Sequence, residues 1–183
     1  MLTQECLQDA LKYGECFVKL GKTAEYIPEL ARVNKYRLGV CIVGLDGTVM
    51  ECGDTRVPFT IQSISKLASL ILAISDRGAD YLFLDKVGVE PTGDPFNSII
   101  KLETKTKPFN PFINAGAITV ASCIDGSDSD EKFDRFLTFI RKLCGNEEIA
   151  LNESVYLSEK ATGDRNRALA YYLKASGILE GNV

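Results

Sequence analysis

The sequence predicts an α+β fold. Five stretches carry helical apolar periodicity, and one pair of short β-branched segments is joined by a tight-turn signal. Their order is helix, antiparallel hairpin, then helices only. At 183 residues the chain suits one domain or one plus a small lobe, and it is read as a single domain, residues 1–183.

Residues 3–20 read as the first helix. Thr3 is placed to cap it, and Leu7, Leu11, Phe17 and Val18 share an apolar side. Pro28 then pushes Ile27 out of helical geometry. Residues 37–44 are β-branched and apolar, hence a strand. Leu45-Asp46-Gly47 is a hairpin turn, and Thr48–Cys52 is the returning strand. From Ser63 the period becomes helical, with Leu67, Leu70, Ile71 and Ile74 at i, i+3, i+4 and i+7. Asp76-Arg77-Gly78 ends that helix.

Residues 88–112 are rich in Gly, Pro, Asn and Thr; so long an irregular stretch points to function. A helix starts at Asn114. Another spans 131–143 behind a capped start at Asp128–Glu131, with Phe133, Phe136, Leu137 and Ile140 turned inward. The last helix covers 163–176. A two-stranded hairpin exposes both edges and is marginal alone, so the sheet is short of strands.

Composition narrows the chemistry. The chain is 45% hydrophobic and 25% charged with a net charge of −4, and it has no basic stripe for nucleic acid. No apolar run reaches the length of a membrane span, and no secretory leader pattern opens the chain. The expected setting is the cytoplasm, without membrane or nucleic-acid partners. Six cysteines, none in a C-x-x-C pair, read as buried free thiols. With no histidine in the chain, Ser-His-Asp and Cys-His catalysis are closed, as is any zinc site built on histidine. No metal or cofactor is expected.

Ser63 and Lys66 remain as candidates for acyl-transfer chemistry. The i, i+3 spacing at a helix start puts hydroxyl and amine on one face, where the lysine can act as base for the serine. Apolar neighbours strip water from Lys66 and lower its pKa, and a helix start offers free amides to an oxyanion. Spacing alone is weak, because Ser129-x-x-Lys132 repeats it as an ordinary cap and solvated face. Ser63 itself has an ordinary reading as an N-cap.

Five ordered blocks add specificity. They are Gly21-Lys22-x-Ala24-x-Tyr26-Ile27-Pro28; Gln62-Ser63-Ile64-Ser65-Lys66; Val87-Gly88-Val89-Glu90-Pro91-x-Gly93-Asp94-Pro95-Phe96-Asn97-Ser98; Asn110-Pro111-Phe112-Ile113-Asn114-Ala115-Gly116-Ala117; and Ser158-Glu159-x-x-Thr162-x-x-Arg165-Asn166-x-Ala168-Leu169-Ala170. Together they resemble the serine-dependent glutaminases, in the family's order, over about residues 15–177.

The resemblance implies a serine β-lactamase/transpeptidase-like fold and hydrolysis of L-glutamine to L-glutamate and ammonia. Ser63 would be the nucleophile and Lys66 the base. Glu159 would bind the substrate ammonium. Asn114 and Asn166 would hydrogen-bond the substrate, and Tyr26 and Gln62 would line its site. Each has an ordinary reading too: Asn114 and Asn166 as helix caps, Glu159 as a solvated side chain, Tyr26 as a core aromatic. Family members continue beyond the position of Val183 with further tyrosines, sheet strands and a backbone oxyanion donor. The resemblance therefore implies the N-terminal portion of a glutaminase domain, with the remaining sheet strands missing. It also implies a homo-oligomer, or pairing with full-length chains. Two other readings stay open. One is a catalytically impaired paralogue acting as a subunit or binding protein. The other is a β-lactamase or peptidase, which the absence of a Lys-Thr-Gly strand disfavours.

Overall fold

The computed structural model describes residues 2–98 and 107–179. The chain divides into two compact units, 1–60 with 152–162, and 61–151 with 163–183.

The first unit is a hairpin with helices. Helix α1 (Gln4–Val18) starts where Thr3 predicts, its hydroxyl accepting from the Cys6 N–H. Strands β1 (Gly39–Val43) and β2 (Val49–Gly53) pair antiparallel, with Cys41 opposite Glu51. The turn closes as its residues dictate: Gly47 takes positive φ and Asp46 Oδ1 accepts from the Thr48 N–H. Among the described residues the sheet has these two strands only. Helix α1 packs on the hairpin through Leu7 and Leu11, while Phe17, expected inward, is half-exposed. A one-turn helix α2 (Pro28–Ala31) begins at the proline, with Ile27 extended before it, as the proline requires. It packs against α6 (Glu153–Thr162), a helix the apolar period did not reveal.

The second unit is helical. A 3-10 turn (Gln62–Ile64) leads into α3 (Ser65–Arg77). A π turn (Tyr81–Lys86) follows, then α4 (Asn114–Ser122), α5 (Ser129–Cys144) and α7 (Asp164–Ala175). Helix α4 is apolar on every side and is the axis of the unit. One side meets Leu70, Leu72 and Ala73 of α3 through Val120 and Cys123. The other meets Leu169, Ala170 and Leu173 of α7 through Ala115. Helix α5 is capped by Asp128, whose carboxylate accepts from the Asp130 and Glu131 N–H groups, and it ends at a left-handed Gly145.

Three further expectations about burial fail. Helix α3 buries Ala68, Leu70, Leu72 and Ala73, whereas Leu67 and Ile71 are exposed. It is apolar on two sides, and period alone does not say which side is covered. Phe133 of α5 is exposed, and Phe139 joins Phe136 against the buried cluster instead. All six cysteines are free, but only Cys123 is buried.

Candidate active site

Lys66, in the first turn of α3, organises the site of the second unit. Its ammonium donates to the Phe112 carbonyl and to Asn114 Oδ1, both at 2.9 Å. Asn114 Nδ2 donates in turn to Asn166 Oδ1 at 3.0 Å. The chain of bonds fixes both amides. Lysine has no acceptor to offer when charged, so Asn114 must present oxygen to it and nitrogen to Asn166. Asn166 keeps its own NH₂ for another partner. Partial burial pushes the Lys66 pKa below its ordinary value.

Local sequence explains the placement. Asn114 is the first residue of α4, yet its side chain caps nothing. The turn before it is closed by Asn110, whose Oδ1 accepts from the N–H groups of Phe112 and Ile113. The Asn110 loop comes this close because residue 116 is glycine. A Cβ there would lie 1.9 Å from the Asn110 carbonyl oxygen. Asn166 is the third residue of α7, in its first turn, and α4 packs against that helix. The ordinary readings of both asparagines as caps are thus set aside.

Ser63 is exposed in the 3-10 turn. It is not the cap of α3; that position is Ile64, with no side-chain capping bond. Gln62, immediately before it, has φ 40°, the only positive φ at a non-glycine among the described residues. Ser65 holds that conformation: its hydroxyl donates to the Gln62 carbonyl at 2.6 Å. A strained residue beside an exposed serine is a frequent functional device. The expectation of free amides at this helix start is met only in part. The Ile64 N–H already donates to Ile61 at 2.8 Å, and the Ser65 N–H donates within the turn.

The remaining candidates belong to the first unit. Tyr26 is exposed rather than a core aromatic; its neighbour Ile27 is buried instead. Glu159 is half-buried on α6. The two segments are drawn together locally, since the Glu29 N–H donates to Ser158 Oγ at 3.2 Å, tying α2 to α6. The structure therefore groups Ser63, Lys66, Asn114 and Asn166 in one unit and Tyr26 and Glu159 in the other. Two groups at Lys66 were not singled out from sequence. They are the Phe112 carbonyl and the Phe96 ring, whose centroid is 5.4 Å from the Lys66 Nζ. A backbone acceptor has no residue signature, and both lie in the irregular stretch whose length alone pointed to function.

The described elements, with Ser63-x-x-Lys66 where the 3-10 turn enters the apolar helix α3, agree with an α+β fold of the kind the sequence blocks resemble. The chain belongs to the glutaminase family: the family model described as Glutaminase matches residues 21–183. Among its relatives, Glutaminase 2 of Clostridium perfringens is 55% identical; the match covers 97% of this chain and 58% of that protein. The structure of a probable glutaminase from Bacillus subtilis complexed with 6-diazo-5-oxo-L-norleucine superposes with a TM-score of 0.86 at 41% identity, covering 100% of this chain and 54% of that one. The covalent complex of the Bacillus subtilis glutaminase YbgJ with 5-oxo-L-norleucine gives a TM-score of 0.80 at 40% identity, over 97% of this chain and 55% of that one. The chain thus spans less than two thirds of the length of the relatives it matches. Their serine β-lactamase-like fold is the one the resemblance implied, and the described elements correspond to its N-terminal part. No described helix is long and apolar enough to cross a membrane.

Proposed function

We propose that the protein hydrolyses L-glutamine to L-glutamate and ammonia, with Ser63 as nucleophile and Lys66 as its base. Residues 1–183 make up the N-terminal portion of one glutaminase domain in this reading. One observation carries the mechanism: Lys66 Nζ has two acceptors, the Phe112 carbonyl and Asn114 Oδ1. A neutral lysine amine has two N–H groups and one lone pair. With both N–H groups engaged, the lone pair is left for the proton of Ser63. Burial, which disfavours the ammonium, favours that neutral form.

Ser63 Oγ attacks the side-chain amide carbon of glutamine while its proton passes to Lys66. The tetrahedral intermediate expels ammonia as Lys66 returns the proton to the leaving nitrogen. Water then attacks the γ-glutamyl ester, loses its proton to Lys66, and releases glutamate as that proton returns to Ser63 Oγ. Asn114 and Asn166 orient the amide, and Gln62 lines the site beside the nucleophile. Glu159 accepts from the substrate ammonium, and Tyr26 lines the pocket. The protein works in the cytoplasm without metal or cofactor, as a homo-oligomer.

The test is covalent labelling with 6-diazo-5-oxo-L-norleucine, read by intact-mass and peptide mass spectrometry, alongside ammonia release from L-glutamine. A single adduct on Ser63, absent in Ser63→Ala, is expected. Labelling elsewhere, or equal labelling of Ser63→Ala, would overturn the assignment.

A further inference from the structure

The geometry points to Phe96 as a positioning residue for Lys66, acting through its ring on the ammonium and through its carbonyl on Asn114. This rests on the reading of Lys66 as the base, but it concerns a residue to which that reading gives no part.

Two independent contacts converge on Phe96. Its ring centroid lies 5.4 Å from Lys66 Nζ. Its carbonyl accepts the backbone N–H of Asn114 at 2.9 Å. That N–H belongs to the first residue of α4, where no intrahelical partner exists. Asn114 is the residue whose Oδ1 receives Lys66. Phe96 therefore holds the residue of the acceptor through its carbonyl and meets the donor with a ring that is itself half-exposed. The segment carrying it is itself fixed. Ser98 N–H donates to the Pro95 carbonyl at 2.9 Å, and Asp94 N–H donates to Thr92 Oγ1 at 3.1 Å.

The ring acts on Lys66 in two opposed ways. As apolar bulk it keeps water from one side of the amine, which favours the neutral form. As a π system it attracts the ammonium, which favours the charged form. An exposed cation–π contact is worth enough to change the neutral fraction about twofold to fivefold. The result is a half-buried lysine held on a fixed axis. The charged groups around it do not compete for this role. Helix α4 and the 3-10 turn carry no ionisable side chain. On α7, Asp164 pairs with Arg167 at 2.8 Å and Arg165 lies beside Asn166. On α5, Arg135 reaches Asp76 at the far end of α3, and the π turn contributes Tyr81, Asp85 and Lys86. Asp94 is the charged side chain nearest in sequence on the segment that bears the ring. Burial, not any of these charges, is what shifts Lys66.

The two effects separate by substitution. Phe96→Leu keeps apolar bulk and removes the π face, so Lys66 should titrate at lower pH. Phe96→Ala removes both and admits water, so Lys66 should titrate at higher pH. Phe96→Tyr should restore the wild-type titration. The measurement is ¹⁵N-detected titration of the lysine side chains in the full chain, with Lys66 assigned through Lys66→Arg. Opposite displacements in the Leu and Ala variants are the expected result. No displacement, or displacement of both in one direction, would overturn the proposal. The readout needs no turnover, so absence of glutaminase activity would sink the catalytic reading and leave this outcome to be judged separately.

Discussion

Ser63-x-x-Lys66 and Ser129-x-x-Lys132 have the same spacing and both lie at helix starts, yet the structure treats them in opposite ways. Helix α4 explains why, because both lysines reach it, from its two ends. Lys66 meets the N-terminal end, donating to Phe112 just before the helix and to the side chain of its first residue, Asn114. Lys132 meets the C-terminal end, where it donates to the carbonyl of Ser122, the last residue of the helix. A helix C-terminus carries partial negative charge and welcomes an ammonium; the N-terminus carries partial positive charge and opposes one. Lys132 is thus a helix-terminal cation, in better contact than a solvated face would give. Lys66 is held where burial favours losing its proton. The serines differ as well. Ser129 follows the true cap, Asp128, whereas Ser63 follows the strained Gln62. Spacing brings a hydroxyl and an amine to one face; what the amine meets decides whether it is a base. A third occurrence, Ser98-x-x-Lys101, extends outside the described residues.

The largest test of this contrast exchanges the two serines for alanine. Ser63→Ala should lower acylation by 6-diazo-5-oxo-L-norleucine by on the order of 10³ or more, as loss of a nucleophile does. Ser129→Ala should label at the wild-type rate. Comparable losses in both variants would mean that the fold, not the nucleophile, had been damaged. Next come the lysines. Lys66→Met should slow acylation by about 10²–10⁴, the usual contribution of a positioned proton acceptor. Lys132→Met should leave the rate alone and cost about 1 kcal/mol in urea unfolding, one hydrogen bond to a helix-terminal carbonyl. A Lys132→Met rate loss matching that of Lys66→Met would remove the distinction between the two ends of α4.

The sequence was most legible where local chemistry settles the outcome. Thr3 and Asp128 cap the helices they were read to cap, and Asp46-Gly47 turns the hairpin. These are contacts within four residues, set by residue type. Legibility falls where the outcome depends on what packs alongside. Leu67 and Ile71 fit the periodic stripe of α3 yet are exposed, because Ala68 and Leu72 offered an equally apolar side and α4 and α5 cover that one. Helix α6 went unread because none of its residues is buried, so it leaves no apolar period. At the site, Ser63, Lys66, Asn114 and Asn166 were found by matching blocks, and their grouping follows. Spacing, though, could not show that Asn114 offers its oxygen to Lys66 rather than capping its own helix. That choice depends on Asn110 closing the turn first, and on Gly116 leaving room for it.

The smallest expected effect is also the most direct measure of the contrast, because it reads protonation without chemistry. Lys66 has a folded pKa lowered from 10.5 by burial. Between that lowered value and the unfolded one, the unfolded chain holds a proton at Lys66 that the folded chain has released. Stability therefore rises with pH across this window, since the unfolded state binds more protons. Below the window both states are protonated, and folding bears the cost of the half-buried ammonium. Urea midpoints measured at intervals from pH 7 to about pH 10 should rise more steeply in wild type than in Lys66→Met. The difference between the two curves cancels the tyrosines and cysteines, which titrate in both. Parallel curves for wild type and Lys66→Met would show that Lys66 folds at its ordinary pKa, and the case for it as a ready base at neutral pH would fall with that result.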